Sequence, residues 1–224
     1  MSGTRYAQFC GLARATEVIG ERWTLLIVRE LLLGPRRFSD LGARLAGMSP
    51  SLLVARLNTL VESGVVRRAT LAAPFNAQVY ELTEIGQALR PAIRELIRWG
   101  GHFLFPMRAG DAFEPDWVLL ALDAIARRRR APACRIALRI RHGKKSATVL
   151  VQGGAHGTMV TAGEPAGAVT IETGFDTLLR ILAREISLDD AIAARQVVLE
   201  GSAAVAQKLP DLFDLGGGAG KRQR

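Results

Sequence analysis

The stretch MSPSLLVARLNTLVESGVVRR, residues 48–68, reads as one helix that runs straight into a glycine and two arginines. Ser49 is a natural N-cap, and Pro50 suits the first helical position, where its missing N–H has no partner to lose. Leu53, Leu57, Leu60 and Val61 follow at i, i+4, i+7 and i+8, which makes one buried stripe. The opposite face carries Ser51, Ala55, Asn58, Thr59 and Glu62, with Arg56 on its flank. Gly64 then stops the helix. One face is built for burial, and the other is kept short and polar.

The flanking sequence shows what that second face serves. Upstream, the spacing predicts a helix over Thr4–Gly20 and a second over Glu21–Leu33, with Trp23, Leu26, Ile27 and Leu31 at intervals of three and four. Gly34-Pro35 closes the second, and Ser39 lies near the start of a short helix, SDLGARL. Downstream, Val65–Leu71 and Ala77–Leu82 are strand candidates joined by AAPFN, a loop that proline and asparagine favour. Thr83–Leu104 reads as a last helix. A helix that enters the major groove cannot bury its groove face, and a preceding helix must pin its other face to a core. Ser51, Ala55 and Thr59 are short enough for close approach to base edges. Arg56, Arg67 and Arg68 are long enough to reach phosphate or guanine. The order of elements predicts a recognition helix running into a wing.

Charge agrees with this. The 224 residues carry +9 at neutral pH, and 26 of the 30 basic residues are arginine. Residues 1–110 hold 14 basic against 8 acidic side chains, and residues 111–224 hold 16 against 13. A positive field attracts polyanions, nucleic acid first, although an arginine-rich composition gives the same sign. No stretch reaches the roughly 20 apolar residues of a membrane span, so no integral membrane association is expected. The opening MSGTRYAQFCG lacks a basic region followed by an apolar run, so no export signal is expected either. With only Cys10 and Cys134, a reducing cytoplasm is expected rather than a disulfide framework.

The second half changes period. Residues 105–116, FPMRAGDAFEPD, read as a linker. Trp117–Arg130 reads as an apolar helix ending in four arginines that complement its dipole; contact with DNA or phospholipid is the other reading of that run. RIALRIRHG alternates, with Ile136, Leu138 and Ile140 on one face and Arg135, Arg139 and Arg141 on the other. SATVLVQGG, HGTMVTAG and GAVTIETG are further strands, which suits an antiparallel sheet with one wet face. Phe175–Glu185 and SLDDAIAA return to helical spacing, QVVLEG is a strand, and Ser202–Phe213 a final helix.

Two resemblances follow from these pieces. IGERWTLLIVRELLLGPRRFSDL, the quoted stretch and VYELTEIGQALRPAIRELIRWG, with Cys10 near the start, resemble the HxlR-type winged helix-turn-helix regulators, relatives of the MarR type. This resemblance implies a homodimer built from the first and last helices, reading a palindromic operator in double-stranded DNA. It also implies DNA-facing roles for Arg36, Arg37, Ser49, Ser51, Ala55, Arg56, Arg67 and Arg68. TGFDTLLRIL, ISLDDAIA and VVLEGSAAVAQKL resemble the sterol-carrier-protein type of domain. That implies a sheet against helices around an apolar tunnel, whose walls here would include Ile140, Val149, Val151, Met159, Leu178 and Leu182. Filling a core is the other role open to those side chains. Relatives often have glycine where this chain has Ala194-Arg195, so the turn there is expected to differ.

The expected fold class is α/β (α+β). Residues 1–106 form a winged helix-turn-helix DNA-binding and dimerisation domain. Residues 107–214 form a sterol-carrier-like effector domain with a mostly antiparallel sheet, and residues 215–224 a disordered basic tail. No phosphate-binding glycine loop, nucleophile elbow or metal-ligand spacing occurs, so no enzyme, cofactor or metal is expected. By resemblance Cys10 is a candidate redox sensor, with Arg5 or Arg14 near enough to activate its thiol; burial at a dimer interface is the alternative. Three functions stay open: a DNA-binding regulator modulated by a hydrophobic small molecule, a thiol-based regulator acting through Cys10, and a lipid or ligand carrier whose winged helix serves protein contacts.

Overall fold

A computed structural model describes residues 5–74, 76–104, 110–163 and 167–215, and the chain divides into two units, Met1–Ile93 and Arg94–Arg224. In the first unit come α1 (Gly11–Ile19), α2 (Thr24–Leu32), α3 (Phe38–Arg44) and α4 (Pro50–Glu62). An antiparallel ribbon of β1 (Val66–Thr70) and β2 (Gln78–Leu82) follows, then α5 (Glu84–Gln87); α6 (Arg90–Gly100) runs across the division. This is a winged helix-turn-helix. Its core joins Ile27, Val28 and Leu31 of α2, Leu41 of α3, and Leu53, Leu57 and Leu60 of α4, all essentially inaccessible to solvent. Arg36 and Tyr80 exchange backbone hydrogen bonds at 3.0 and 2.8 Å, which adds a short third segment to the ribbon.

Three helices of this unit depart from the periodicity, each for a local reason. The first begins at Gly11, not Thr4, because Cys10 is extended and the Tyr6 N–H turns back to donate to the Glu17 carboxylate at 2.7 Å; Thr4 itself lies outside the described residues. The second begins at Thr24, because Trp23 sits at φ 78°, which no helix accommodates. The last is broken between α5 and α6. Pro91 lacks the N–H that would bond the Gln87 carbonyl, and its ring would crowd that carbonyl in an unbroken helix.

The second unit holds a five-stranded sheet in the order β5-β4-β3-β6-β7. Its elements in chain order are α7 (Trp117–Ile125), β3 (Cys134–His142), β4 (Lys145–Gly154), β5 (Gly157–Ala162), β6 (Val169–Gly174), α8 (Phe175–Leu182), α9 (Leu188–Ala193), β7 (Val197–Glu200) and α10 (Ala203–Ala206). All neighbouring strands are antiparallel except β3 and β6. Ile136, Leu138 and Ile140 are fully buried against α7, α8 and the C-terminal helical turns. On the other face Arg139 and Arg141 both bind Glu172 of β6, at 3.0 and 2.8 Å. Alternation therefore sorts the strand as its sequence requires.

Two expectations fail here. The helix from Trp117 ends at Ile125, not Arg130. Ala126 turns extended, bridges to Phe213, and passes the chain to Arg127, whose N–H donates to Leu212 O at 3.0 Å. The final helix stops at Ala206, and a separate 3-10 turn covers Leu209–Leu212, because Pro210 cannot supply an N–H to an α-helix. At the Ala194-Arg195 turn, Arg195 takes φ 56°, the left-handed conformation that glycine adopts without strain. The expected disordered tail lies outside the described residues from position 216 on, as do residues 105–109 of the expected linker.

Candidate nucleic-acid interface

The recognition helix α4 keeps the two faces its sequence sets out. Ser49 Oγ accepts the Leu52 N–H at 3.3 Å, and the Ser49 and Ser51 hydroxyls lie 3.2 Å apart. Ser51, Ala55 and Thr59 are exposed on one face, opposite the buried Leu53, Leu57 and Leu60. Thr59, itself exposed, donates its hydroxyl back to Ala55 O at 3.1 Å. Val54 completes this face at 46% exposure. The sequence reading assigned it no role; its place three after Ser51 and four before Asn58 was the available signal. A half-exposed valine among short polar groups suits a thymine methyl.

The arginines are not equivalent. Arg56 Nη2 donates to Glu21 Oε2 at 2.7 Å, and its side chain is 21% exposed with Nε buried and unbonded. It is held at the rim of α4 by the loop before α2. Arg67 and Arg68 alternate to opposite faces of the ribbon. Arg67 pairs with Glu81, its cross-strand neighbour, at 2.7 Å. Arg68 lies over the Tyr80 ring and donates to Asn58 Oδ1 of α4 at 3.0 Å. The fold thus joins Arg68 to the recognition helix and turns Arg67 away from it. Arg37 is exposed at the N-cap of α3, where its own N–H donates to Asp40 at 3.2 Å. Arg36 is half-buried beside the ribbon.

Beneath this surface sits a group the periodicity missed. Glu30 of α2 is fully buried, clamped between Arg29 at 2.7 Å and Arg44 of α3. The clamp ties α2 to α3, the two helices that carry α4.

Cys10 is exposed and in no disulfide. As the N-cap residue of α1, its thiol is held below its ordinary pKa by the backbone N–H groups of Ala13 and then Leu12. The expected activation by Arg5 or Arg14 does not occur; Arg14 is bound to Glu17 at 2.9 Å. Cys134 is half-buried, and burial pushes its thiol up. At pH 7.5 we therefore expect iodoacetamide to label Cys10 well ahead of Cys134, with a rate that levels off at a lower pH. Protection of Cys10 in the intact protein would place it at an interface instead.

Of the tunnel side chains, Ile140, Val149, Val151, Leu178 and Leu182 all belong to the packed core of the second unit. Met159 does not: it is 55% exposed, because its place in β5 points it to the other face. An open depression of about 420 Å³ lies at the β3–β4 end of the sheet, lined by Cys134, Arg135, Gln152, Gly153 and Val205 among others.

Fold and surface together define a winged helix-turn-helix protein with a second α+β unit. Residues 18–107 match the HxlR-like helix-turn-helix family, and residues 119–214 match the SCP-2 sterol transfer family. An HTH-type transcriptional regulator of Mycobacterium tuberculosis is 44% identical over 93 residues, covering 42% of this chain and 58% of that protein. YkvN of Bacillus subtilis, another HTH-type transcriptional regulator, is 34% identical over 94 residues, covering 42% of this chain and 80% of its own. The reduced form of the regulator YodB from B. subtilis is a solved structure at 30% identity and a TM-score of 0.38, covering 45% of this chain and 100% of that one. The chain belongs to the HxlR-like helix-turn-helix family. It spans little more than half the length of the mycobacterial relative.

Proposed function

We propose that the chain is a homodimeric, sequence-specific DNA-binding transcriptional regulator of the cytoplasm. Residues 1–106 serve as its DNA-binding and dimerisation domain, and residues 107–214 as an effector domain for a hydrophobic small molecule. The observation that carries this reading is the split of α4, with one face fully buried and the other exposed, short and polar beside Arg68. Ser51, Ala55 and Thr59 approach base edges, Ser49 and Arg37 lie at helix starts where phosphates sit, and Arg36, Arg56 and Arg68 supply the positive rim, while Arg67, on the far face of the ribbon, is left outside it.

Dimerisation has its own support. In the first unit Phe9 is wholly exposed and Leu12 largely so, and in the second unit, separately, Leu96 and Trp99 of α6 are also exposed. Apolar surface of this kind marks an interface with another chain. A symmetric pair of such units reads half-sites about one helical turn, roughly 10 bp, apart. An effector regulates only if it binds the DNA-competent and incompetent dimers differently.

Selection of bound fragments from random duplex DNA with the intact protein tests the reading. Binding is expected to weaken steeply as salt rises, through counterion release. Arg56→Ala is expected to weaken binding by about 1–3 kcal/mol if the guanidinium reaches a base. Its ion pair with Glu21 is partly exposed, so folding stability should fall by less than about 1 kcal/mol. Recovery of no sequence, or salt-independent binding, would sink the proposal and favour a carrier.

The lowered pKa of Cys10 favours a second reading, a thiol-based regulator. The relative YodB, a regulator 33% identical over 92 residues, has been solved bound to a quinone. An oxidant or electrophile response that persists in Cys10→Ser removes this reading.

A further inference from the structure

The four arginines 127–130 have no helix to complement, since α7 ends at Ile125. They form a bend fastened at both ends. Arg127 N–H donates to Leu212 O at 3.0 Å, Arg127 O accepts the Thr158 N–H at 2.8 Å, and Ala131 N–H donates to Gly154 O at 2.9 Å. Ala126 and Ala131, at either end, are buried, while Arg128, Arg129 and Arg130 between them are exposed. The β4–β5 turn packs against the bend so closely that a Cβ at Gly157 would lie 2.4 Å from Arg127 O; Gly157 also holds φ 107°. Three neighbouring guanidinium groups are therefore presented on a braced backbone.

Their charge is barely answered. Arg128 binds Asp123 at 2.9 Å. Among the described residues, Arg129 and Arg130 have no carboxylate partner, and the exposed His156 of the β4–β5 turn adds none. A solvated charge run needs no bracing, whereas a braced one loses less entropy when an anion binds it. Arginine's planar fork matches phosphate oxygens two at a time. Residues 126–131 and 154–158 expose no large apolar side chain, and the exposed Met159 of β5 stands alone beside them, so the bend has far less apolar surface than a basic element that enters a bilayer. It shares a chain with the winged helix, so DNA held by the first unit raises the local concentration of phosphate around it.

We propose that the Arg128–Arg130 bend is an auxiliary phosphate-binding element that grips duplex DNA outside the site read by the winged helix. It rests on the DNA-binding reading above. The test uses the full chain, a short duplex trimmed to the selected site, and the same duplex extended by random sequence on both sides. Affinity is measured across a salt series for the wild type and for Arg129→Gln/Arg130→Gln, whose side chains are exposed and outside the core. Each phosphate contact adds roughly 0.9 to the slope of log affinity against log salt, so the double variant should lose about 1.8 per protomer on the long duplex. On the short duplex the two proteins should coincide. Equal slopes on the long duplex overturn the inference, and so does an equal loss on both lengths. Variant-sensitive binding to phosphatidylglycerol vesicles without a change on DNA overturns it in favour of a membrane. A wild type that fails to hold the short duplex overturns the DNA-binding reading itself, and this inference with it.

Discussion

Glu30→Ala is expected to lower the stability of the first unit by about 3–5 kcal/mol, the usual penalty for breaking a buried ion pair from one side. The carboxylate is fully buried, and Arg29 and Arg44 both turn to it, with side chains only 19% and 15% exposed. Truncation removes the acceptor and leaves two guanidinium groups in a poorly solvated place, beside a cavity. Glu30→Gln keeps the volume and loses the charge, so comparing the two variants separates electrostatics from packing. Because the chain has two units, a single unfolding midpoint would mix them. Amide hydrogen exchange of α2 and α4 reports the first unit directly. A loss under about 1 kcal/mol in Glu30→Ala would show that water reaches the clamp. The functional consequence is orientation. Arg44 belongs to α3, the helix before α4, so loosening the clamp should also weaken DNA binding through geometry.

Ala55→Glu is expected to weaken binding to the selected duplex by about 3 kcal/mol, roughly a hundredfold, because like charges brought together across an interface are penalised by several kcal/mol. Ala55 is exposed at the middle of the recognition face, with Ser51 one turn before it and Thr59 one turn after. Glutamate is a good helix former, so α4 itself should be undisturbed. Thermal stability should stay within about 0.5 kcal/mol of the parent, as for other surface changes. If affinity stays within threefold, α4 does not face the duplex, and the whole assignment of its surface fails. Arg56→Ala alone could not decide this, because Arg56 also serves Glu21.

Much of the first unit was legible. Of the predicted stripe, Leu53, Leu57 and Leu60 are buried and Val61 at its edge is only half-buried, and Ser49 caps the helix, since these depend on contacts within one or two turns. Wing strands were found to within a residue, because alternation and the turn-favouring Pro74 and Asn76 lie side by side in the chain. Glu30 was not found. Nothing near it in sequence distinguishes a clamped carboxylate from a solvated one, and the deciding partner, Arg44, lies fourteen residues away. Arg67 and Arg68 looked alike, and only pairing with β2 and the approach of Asn58 separated them. In the second unit, Met159 was placed on the wrong face because its strand was recognised without its register.

By itself the sequence determined the elements whose causes are local: where α4 starts, which face it buries, and which side of β3 is dry; the local breaks at Pro91 and Pro210 were overlooked because helical spacing continued past both. Tertiary structure decided the rest. It drew Ala126 out of a helix to pair with Phe213, set β6 parallel beside β3, and buried Glu30 between two arginines. The physical reason is range. Hydrophobic periodicity and capping act over a few residues, whereas strand pairing and ion pairs join positions that only the folded chain brings together.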